Sequence, residues 1–491
     1  DEFFDSPLLP MLETTRGCPF SCAFCADGLS TKNKITRYVP ARVEAELKYI
    51  AERIKFSDEL IITDLNFGMY KNDLETAQFI NQIQKDKNWP VVVSGSGGKN
   101  KPERVIETAK ILNGTWSIGS AIQSSDAQVL KNIKRSNISL DAYNQFIQYV
   151  NGLDTEAESY TEVILGLPGD SLKTHFNSLR TGIDNGVKTV RAYQAILLAG
   201  TDLASAPMRS QFEMTTKYRL VPGSAGVYDV NGTQVPAAEF EEIIIQTKDM
   251  SFNDYLSCRK MHLLIEIYFN KGMFEEFFAT LEQFGLLAFD ILVHLHSSED
   301  KYPNKVSEII KSFVYATTQD LFDTWDETQD IMKTADTLNS YFEQDNGRNE
   351  LLEHRALLYL EFETIAELLL DASKDLLSDT YTSDPETMEI LEDLIRFIVF
   401  KKKDIRQYEN SEKVEFRYDV TKIDSSAVSV SMVKEIKETG LTAVEFFHTE
   451  KQKRHIHKVL DLYQHHSGGF SKMLQNNNMR KMYRTTTAQS I

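Results

Sequence analysis

The sequence predicts an α/β fold with a parallel sheet, followed by a mainly helical C-terminal region. Three observations carry this. Strand-like and helix-like segments alternate up to about residue 215. Polar residues and glycines cluster just after the strands, where doubly wound sheets and (β/α) barrels both place their sites. Past residue 250 the alternation gives way to long amphipathic runs at helical spacing.

The elements follow in order. A strand near Met11–Thr15 runs into a cysteine-rich loop. A helix is expected over Ala41–Ile54, with Val43, Leu47, Ile50 and Ile54 on one face. The second strand is Glu59–Asp64, and the second helix is Asp73–Gln84. Pro90–Ser94 is the third strand, ending in Gly97-Gly-Lys99-Asn100, which lacks the spacing of a phosphate loop. Helix Pro102–Leu112 precedes strand Thr115–Ala121. Helices Asp126–Lys134 and Leu140–Val150 lead to strand Thr161–Leu167. Helix Leu172–Ile183 and strand Thr189–Leu198 close the series, giving six strands.

Four segments are expected: 1–215 the barrel or sheet, 216–250 a linker or hairpin excursion, 251–405 a helical domain, and 406–491 a terminal segment with a short strand and a basic tail. Glycines and prolines in Val221–Val235 break the pattern there. Runs such as Leu263–Phe284, Leu351–Leu377 and Glu386–Phe400 read as helices, and Val414–Val420 as a strand. The last segment carries Lys451, Lys453, Arg454, Lys458, Lys472, Arg480, Lys481 and Arg484, read as a solvated basic extension.

The 491 residues are 42% hydrophobic and 26% charged, enough for two or three domains. The net charge of -18 disfavours a general nucleic-acid binder. Four cysteines, three in one loop, do not make a disulfide scaffold. With no apolar run near 20 residues and no signal peptide, a soluble cytoplasmic protein is the expectation.

The chemistry concentrates in Arg16-Gly-Cys-Pro-Phe-Ser-Cys-Ala-Phe-Cys-Ala-Asp-Gly28. Structural zinc wants four protein ligands, usually as two pairs, and no Cys or His follows Cys25 before His175. Cys258 stands alone and reads as a buried thiol. Thiolates suit iron–sulfur clusters, and Cys18, Cys22 and Cys25 would bind three irons of a 4Fe–4S cube and leave the fourth open.

With an aromatic just before its last cysteine, this loop resembles the signature of the radical S-adenosylmethionine superfamily. The resemblance extends to about residue 215 and implies a partial (β/α)6 TIM-like barrel followed by a mainly α-helical domain. It implies that the open iron chelates S-adenosylmethionine. An electron then splits the cofactor into methionine and a 5'-deoxyadenosyl radical, which abstracts a substrate hydrogen. It implies cofactor contacts at Asp64 and Asn66 in Asp64-Leu-Asn-Phe-Gly68, toward the methionine amino group. Gln123 and Ser124 fall at the family's ribose contacts, and Arg135 at its carboxylate contact. Gly166 and Pro168, in Val163-Ile-Leu-Gly166-Leu-Pro168-Gly169, match the glycine-proline motif near adenine, and Gln194 on the last strand could edge that ring. The resemblance assigns these residues to cofactor binding and leaves the catalytic residues unknown.

Ser6-Pro-Leu-Leu-Pro10 and Asp64-Leu-Asn-Phe-Gly-Met69 look like members in which a cobalamin-binding domain precedes the barrel. Such a domain, absent from this sequence, would favour methyl transfer. The other-class alternative is a non-catalytic iron–sulfur scaffold. Implied partners are a small-molecule or biosynthetic substrate and an electron donor such as flavodoxin or ferredoxin.

Overall fold

A computed structural model describes residues 2–6, 8–98, 100–116, 119, 121–152, 159–343, 347–377, 384–423, 429–463 and 468–490. Lys99 and part of the expected Thr115–Ala121 strand lie outside the described residues, as does Pro7 of the lead-in. The chain divides into two compact units, Asp1–Lys217 with Glu241–Tyr255, and Tyr218–Phe240 with Leu256–Ile491.

The first unit is a partial (β/α) barrel. Met11–Leu12 pairs in parallel with Glu59–Phe67, which pairs in parallel with Val92–Gly97. Val93 bridges to Trp116, also in parallel. Gly119 and Gln123 then bridge to Tyr160 and Val163, and Tyr160–Leu165 pairs with Thr189–Gln194. The strand order therefore follows the chain order, as parallel strands with helical crossovers produce.

At the fourth position the described residues make three isolated bridges. Gly119 lies under the Tyr160 ring, where a Cβ would come within 2.0 Å of it, and Gln123 has a φ of 60°. Both features interrupt an extended ladder. The second strand runs three residues past the expected Asp64, its alternation of half-buried and buried residues continuing to Asn66 before the buried Phe67.

The helices lie where the periodicity places them, at Pro40–Ala51, Lys71–Lys87, Pro102–Ile111, Ala127–Asn132, Leu140–Asn151 and Leu172–Asp184. Ile54 falls beyond the end of the first. Side chains along Tyr160–Leu165 alternate between two faces. Thr161, Val163 and Leu165 are wholly buried on one face, while Tyr160 and Glu162 line a cavity on the other.

Past Gln211 the chain forms a hairpin of Thr215–Val230 and Thr233–Gln246. Asn231 and Gly232 at its turn both have positive φ, 53° and 83°, as a two-residue type I′ turn requires.

The second unit is mainly helical. Its core includes the stacked rings of Phe274 and Phe362, 5.1 Å apart. A three-stranded antiparallel sheet joins Glu412–Phe416, Thr442–Phe447 and Thr485–Ser490. The basic C-terminal segment is thus folded rather than a solvated extension, because its end supplies the third strand. Arg484 is buried and donates to the carbonyls of Phe400 and Lys403 at 3.0 and 3.1 Å. No helix among the described residues is long and apolar enough to cross a membrane.

Candidate functional site

The cysteine loop leaves the first strand through Gly17, whose φ of 96° only glycine adopts easily. A Cβ there would lie 2.4 Å from the Lys34 carbonyl oxygen. The loop then winds in successive turns, with Cys25 N–H donating to Cys22 O at 3.1 Å and Gly28 N–H to Cys25 O at 3.0 Å. Its middle is anchored at Ala23, which donates to Ile133 O at 2.9 Å and accepts from Leu203 N–H at 2.8 Å. All three cysteines are unbridged; Cys18 and Cys22 are buried and Cys25 is half-buried.

Two cavities flank the loop. The first, about 220 Å³, is lined by Cys18, Cys25, Gln123, Arg135, Tyr160 and Glu162, with Leu65 and the backbone of Gly97 and Gly98. The second, about 210 Å³, is lined by Cys22 together with Phe20, Lys134 and Arg135. Arg135 is the residue common to both linings.

Arg135 is 8% exposed. Its guanidinium donates to Ala121 O and, through Nε, to Asn137 Oδ1 at 2.9 Å. Burial lowers its pKa, and the Cys22 thiol, Glu162 and Cys25 beside it oppose that shift. Guanidinium stays charged in any case. It therefore places a fixed cation against the cysteines.

Gln123 is held by its backbone, donating to Glu162 O at 2.8 Å and accepting from Ile164 N–H at 2.9 Å. Its side-chain Oε1 is buried and has no hydrogen-bond partner among the described residues. A buried orphan acceptor on a cavity wall is a natural contact for a ligand donor.

The other expected residues take different places. Asn66 Nδ2 donates to Cys18 Sγ at 3.4 Å. Asp64 accepts from Thr14 N–H at 2.7 Å and Thr14 Oγ1 at 2.5 Å, tying the second strand to the entry of the loop. Burial raises its carboxyl above the usual range, against those hydrogen bonds. Leu65, rather than Asp64 or Asn66, lines the first cavity. Ser124 Oγ accepts from Asp126 N–H at 3.1 Å and lies 3.4 Å from Ser178 Oγ. Gly166 and Pro168 belong to the turn after Leu165, where Pro168 O accepts from Asn132 at 2.9 Å. Leu167 between them packs into a cluster with Val129, Ile133 and Ile244. Gln194 accepts from the Tyr255 hydroxyl.

The structure thus joins Cys18, Cys25, Gln123 and Arg135 on one cavity and adds Asn66 through Cys18. Asp64, Ser124, Gly166, Pro168 and Gln194 lie outside that cavity's lining. Glu162 and Asn137 belong to it and are absent from the sequence reading. Glu162 had a signal, a carboxylate two residues from Tyr160 inside an apolar strand. Asn137 sits in a loop and had none.

The donor set suits a cluster. Three thiols stand on one short loop, with a fixed cation beside Cys22 and Cys25 and an amide N–H donating to the Cys18 sulfur. Among the described residues no three His, Cys, Asp or Glu side chains converge enough to hold one ion. A cubane does not need such convergence, since each thiolate binds a different iron.

A chain-ordered partial barrel with a three-thiol loop after its first strand defines a class of iron–sulfur barrel proteins. Residues 12–180 match the model of the radical SAM superfamily. Over 253 residues the chain is 29% identical to the 2-(S-pantetheinyl)-carbapenam-3-carboxylate methyltransferase of Streptantibioticus cattleyicolor, covering 50% of this chain and 35% of that protein. Over 245 residues it is 30% identical to the cobalamin-dependent radical SAM methyltransferase TokK of Streptomyces tokunonensis, covering 48% of this chain and 34% of that one. The chain's match spans about a third of the length of these relatives. Among solved structures, the radical S-adenosylmethionine methyltransferase TsrM from Kitasatospora setae aligns with a TM-score of 0.37 and 12% identity. That alignment covers 47% of this chain and 43% of the other. The superfamily's cofactors are a 4Fe–4S cluster and S-adenosylmethionine.

Proposed function

We propose that this chain is a radical S-adenosylmethionine enzyme acting on a small molecule. The observation that carries the reading is the 220 Å³ cavity with Cys18 and Cys25 at its wall and the orphan Gln123 Oε1 beside them. Cys18, Cys22 and Cys25 would hold the 4Fe–4S cluster. When bound, the cluster supplies the electron that splits S-adenosylmethionine into methionine and a hydrogen-abstracting 5'-deoxyadenosyl radical.

The chain's own residues bind and orient. Arg135, fixed by Asn137, would pair with the methionine carboxylate. Gln123 Oε1 would accept from a ribose hydroxyl, and Asn66 Oδ1 from the amino group. Asp64 would hold the loop entry through Thr14. Ser124, Gly166 and Pro168 would shape the backbone near the nucleoside, and Gln194 would support its edge. An electron donor such as flavodoxin or ferredoxin would supply electrons in a cytoplasmic, reducing compartment.

A second reading, cobalamin-dependent methyl transfer, is favoured by the name of TokK, and the name of the carbapenam relative favours methyl transfer. It needs a corrinoid-binding domain supplied from outside the residues present.

The test is anaerobic reconstitution with iron and sulfide, reduction, and product analysis with S-adenosylmethionine carrying a labelled methyl group. Release of 5'-deoxyadenosine separates an enzyme from a scaffold, and its release without label transfer supports the first reading. Label transfer together with S-adenosylhomocysteine, only when cobalamin and its domain are added, supports the second. A protein that holds the cluster but forms neither product is a scaffold, and both readings fall.

A further inference from the structure

Asn66 is 2% exposed, and the two ends of its amide meet different surroundings. Nδ2 donates to Cys18 Sγ at 3.4 Å, an ordinary distance for a hydrogen bond to sulfur, and Cys18 is itself 4% exposed. Oδ1 is buried with no hydrogen-bond partner among the described residues. A thiolate has no proton to give, so only the amide's NH2 end can face it. The orientation is therefore fixed by the sulfur, and the carbonyl is left without a partner as the consequence. Among the described residues no other side-chain hydrogen bond to the Cys18 sulfur accompanies it.

We propose that Asn66 is a positioning residue that sets the reduction potential of the cluster through Cys18. The inference rests on the reading of Cys18, Cys22 and Cys25 as cluster ligands. Reduction adds one negative charge that is shared by the cluster and its thiolates. An N–H dipole aimed at a ligand sulfur stabilises that added charge, and in a buried site it does so with little screening. Removing the dipole makes reduction harder. Among the described residues no backbone N–H donates to the Cys18 sulfur alongside the Asn66 amide.

The place of Asn66 in the fold supports this role. It stands at the C-terminal end of Glu59–Phe67, on the strand that Asp64 and Thr14 tie to the loop entry. Its backbone carbonyl accepts from Met69 N–H at 3.2 Å in the turn that follows. The side chain is thus held from both sides of the strand end, and its N–H reaches the sulfur without rearrangement.

The experiment compares wild type, Asn66→Leu and Asn66→Asp after anaerobic reconstitution, without S-adenosylmethionine. Iron and sulfide per chain are measured first, then the cluster's midpoint potential by a redox titration followed by electron paramagnetic resonance. Asn66→Leu, close in shape and without the dipole, is expected to keep wild-type iron and sulfide and to shift the potential negative. Asn66→Asp adds charge beside the sulfur and is expected to shift it further the same way. Full clusters with an unshifted potential in both variants overturn the inference and leave the cluster assignment standing. Loss of the cluster in both variants also overturns it, since Asn66 is then a structural support. A wild-type protein that takes up no cluster overturns the underlying assignment and this inference with it.

Discussion

Asn137 holds Arg135 in place: its Oδ1 accepts from Arg135 Nε at 2.9 Å. The same amide donates to Ile122 O at 2.8 Å and Ser124 O at 3.0 Å. One side chain therefore clips the guanidinium to the segment that carries Gln123. Because Arg135 is nearly buried beside Cys22 and Cys25, its aim depends on that clip.

Asn137→Ala should accordingly lower the folding free energy by about 1–3 kcal/mol through the lost hydrogen bonds. It should also weaken S-adenosylmethionine binding roughly tenfold, or ~1.4 kcal/mol. Asn137→Asp keeps the acceptor for Arg135 but loses both donors, so binding should recover more than stability does. Urea unfolding and equilibrium binding separate the two effects. Equal losses in both variants would mean that Arg135 does not depend on Asn137.

Cys22 stands on the side of the loop that the first cavity does not reach. Its thiol is nevertheless required if the loop holds a cluster. Cys22→Ala should lose the brown absorbance and most of the bound iron, and with them cleavage of S-adenosylmethionine. Cys258→Ala, a wholly buried thiol of the second unit, should keep both. Iron analysis of the two proteins in parallel is the check. Full iron and wild-type cleavage in Cys22→Ala would end the assignment.

Asp73 gives the barrel a pH dependence. It is 1% exposed, and burial pushes its carboxyl up to about 7, with the nearby Asp64 adding to the shift. Its Oδ2 accepts from Tyr70 N–H at 2.9 Å at the start of the Lys71–Lys87 helix. The folded state therefore holds a proton between about pH 4 and pH 7 that the unfolded chain has released. Stability falls as pH rises through that window, by up to about 1.4 kcal/mol per pH unit per proton. Asp73→Asn preserves the acceptor at the helix start and carries no charge. It should flatten the dependence and gain relative stability above pH 7. Denaturant melts at pH 5 and pH 8 measure it. A wild-type barrel that is more stable at pH 8, with no change in slope in the variant, would contradict this account.

The alternation of apolar strands with amphipathic helices made the barrel readable. The spacing of Cys18, Cys22 and Cys25 made the centre readable. Both depend on local order in the chain. The rest depends on what meets in space. Thr485–Ser490 is a polar run with no apolar alternation, and only its pairing with Thr442–Phe447 makes it a strand. Thr442–Phe447 was hidden for another reason, since Thr442, Val444 and Phe446 are buried on one face but Ala443 and Phe447 put apolar residues beside the exposed Glu445 on the other, which blurs the period of two. Asp64 and Asn66 were legible as polar residues ending a strand. Their partners, Thr14 and Cys18, were not, because each lies 48 or more positions away. Gly119 meets the Tyr160 ring, a contact that spans 41 positions and leaves no local mark.

The second unit carries its own test in Lys402 and Glu276. Lys402 is 1% exposed and donates both to Glu276 and to Gly272 O, the latter at 2.7 Å. Lys401 reaches the other carboxylate oxygen at 3.3 Å. Burial alone would raise the Glu276 carboxyl, but the two lysines bring it below its ordinary range. Burial lowers Lys402, and Glu276 opposes that shift. Neither charge can be left alone in such a place. Lys402→Met strands the carboxylate with only the more exposed Lys401, and should cost about 3–5 kcal/mol. Glu276→Gln strands the ammonium and should cost a similar amount, within the same range of about 3–5 kcal/mol. Removing both charges at once takes away the desolvation cost with the attraction. The double variant Lys402→Met with Glu276→Gln should therefore lose less than the sum of the singles, by roughly 1–3 kcal/mol of coupling. Urea unfolding of the four proteins at pH 7 closes the cycle. Single variants each within about 0.5 kcal/mol of wild type, the range of surface changes, would mean that the pair is solvated and that the helical unit is held together by its apolar packing alone.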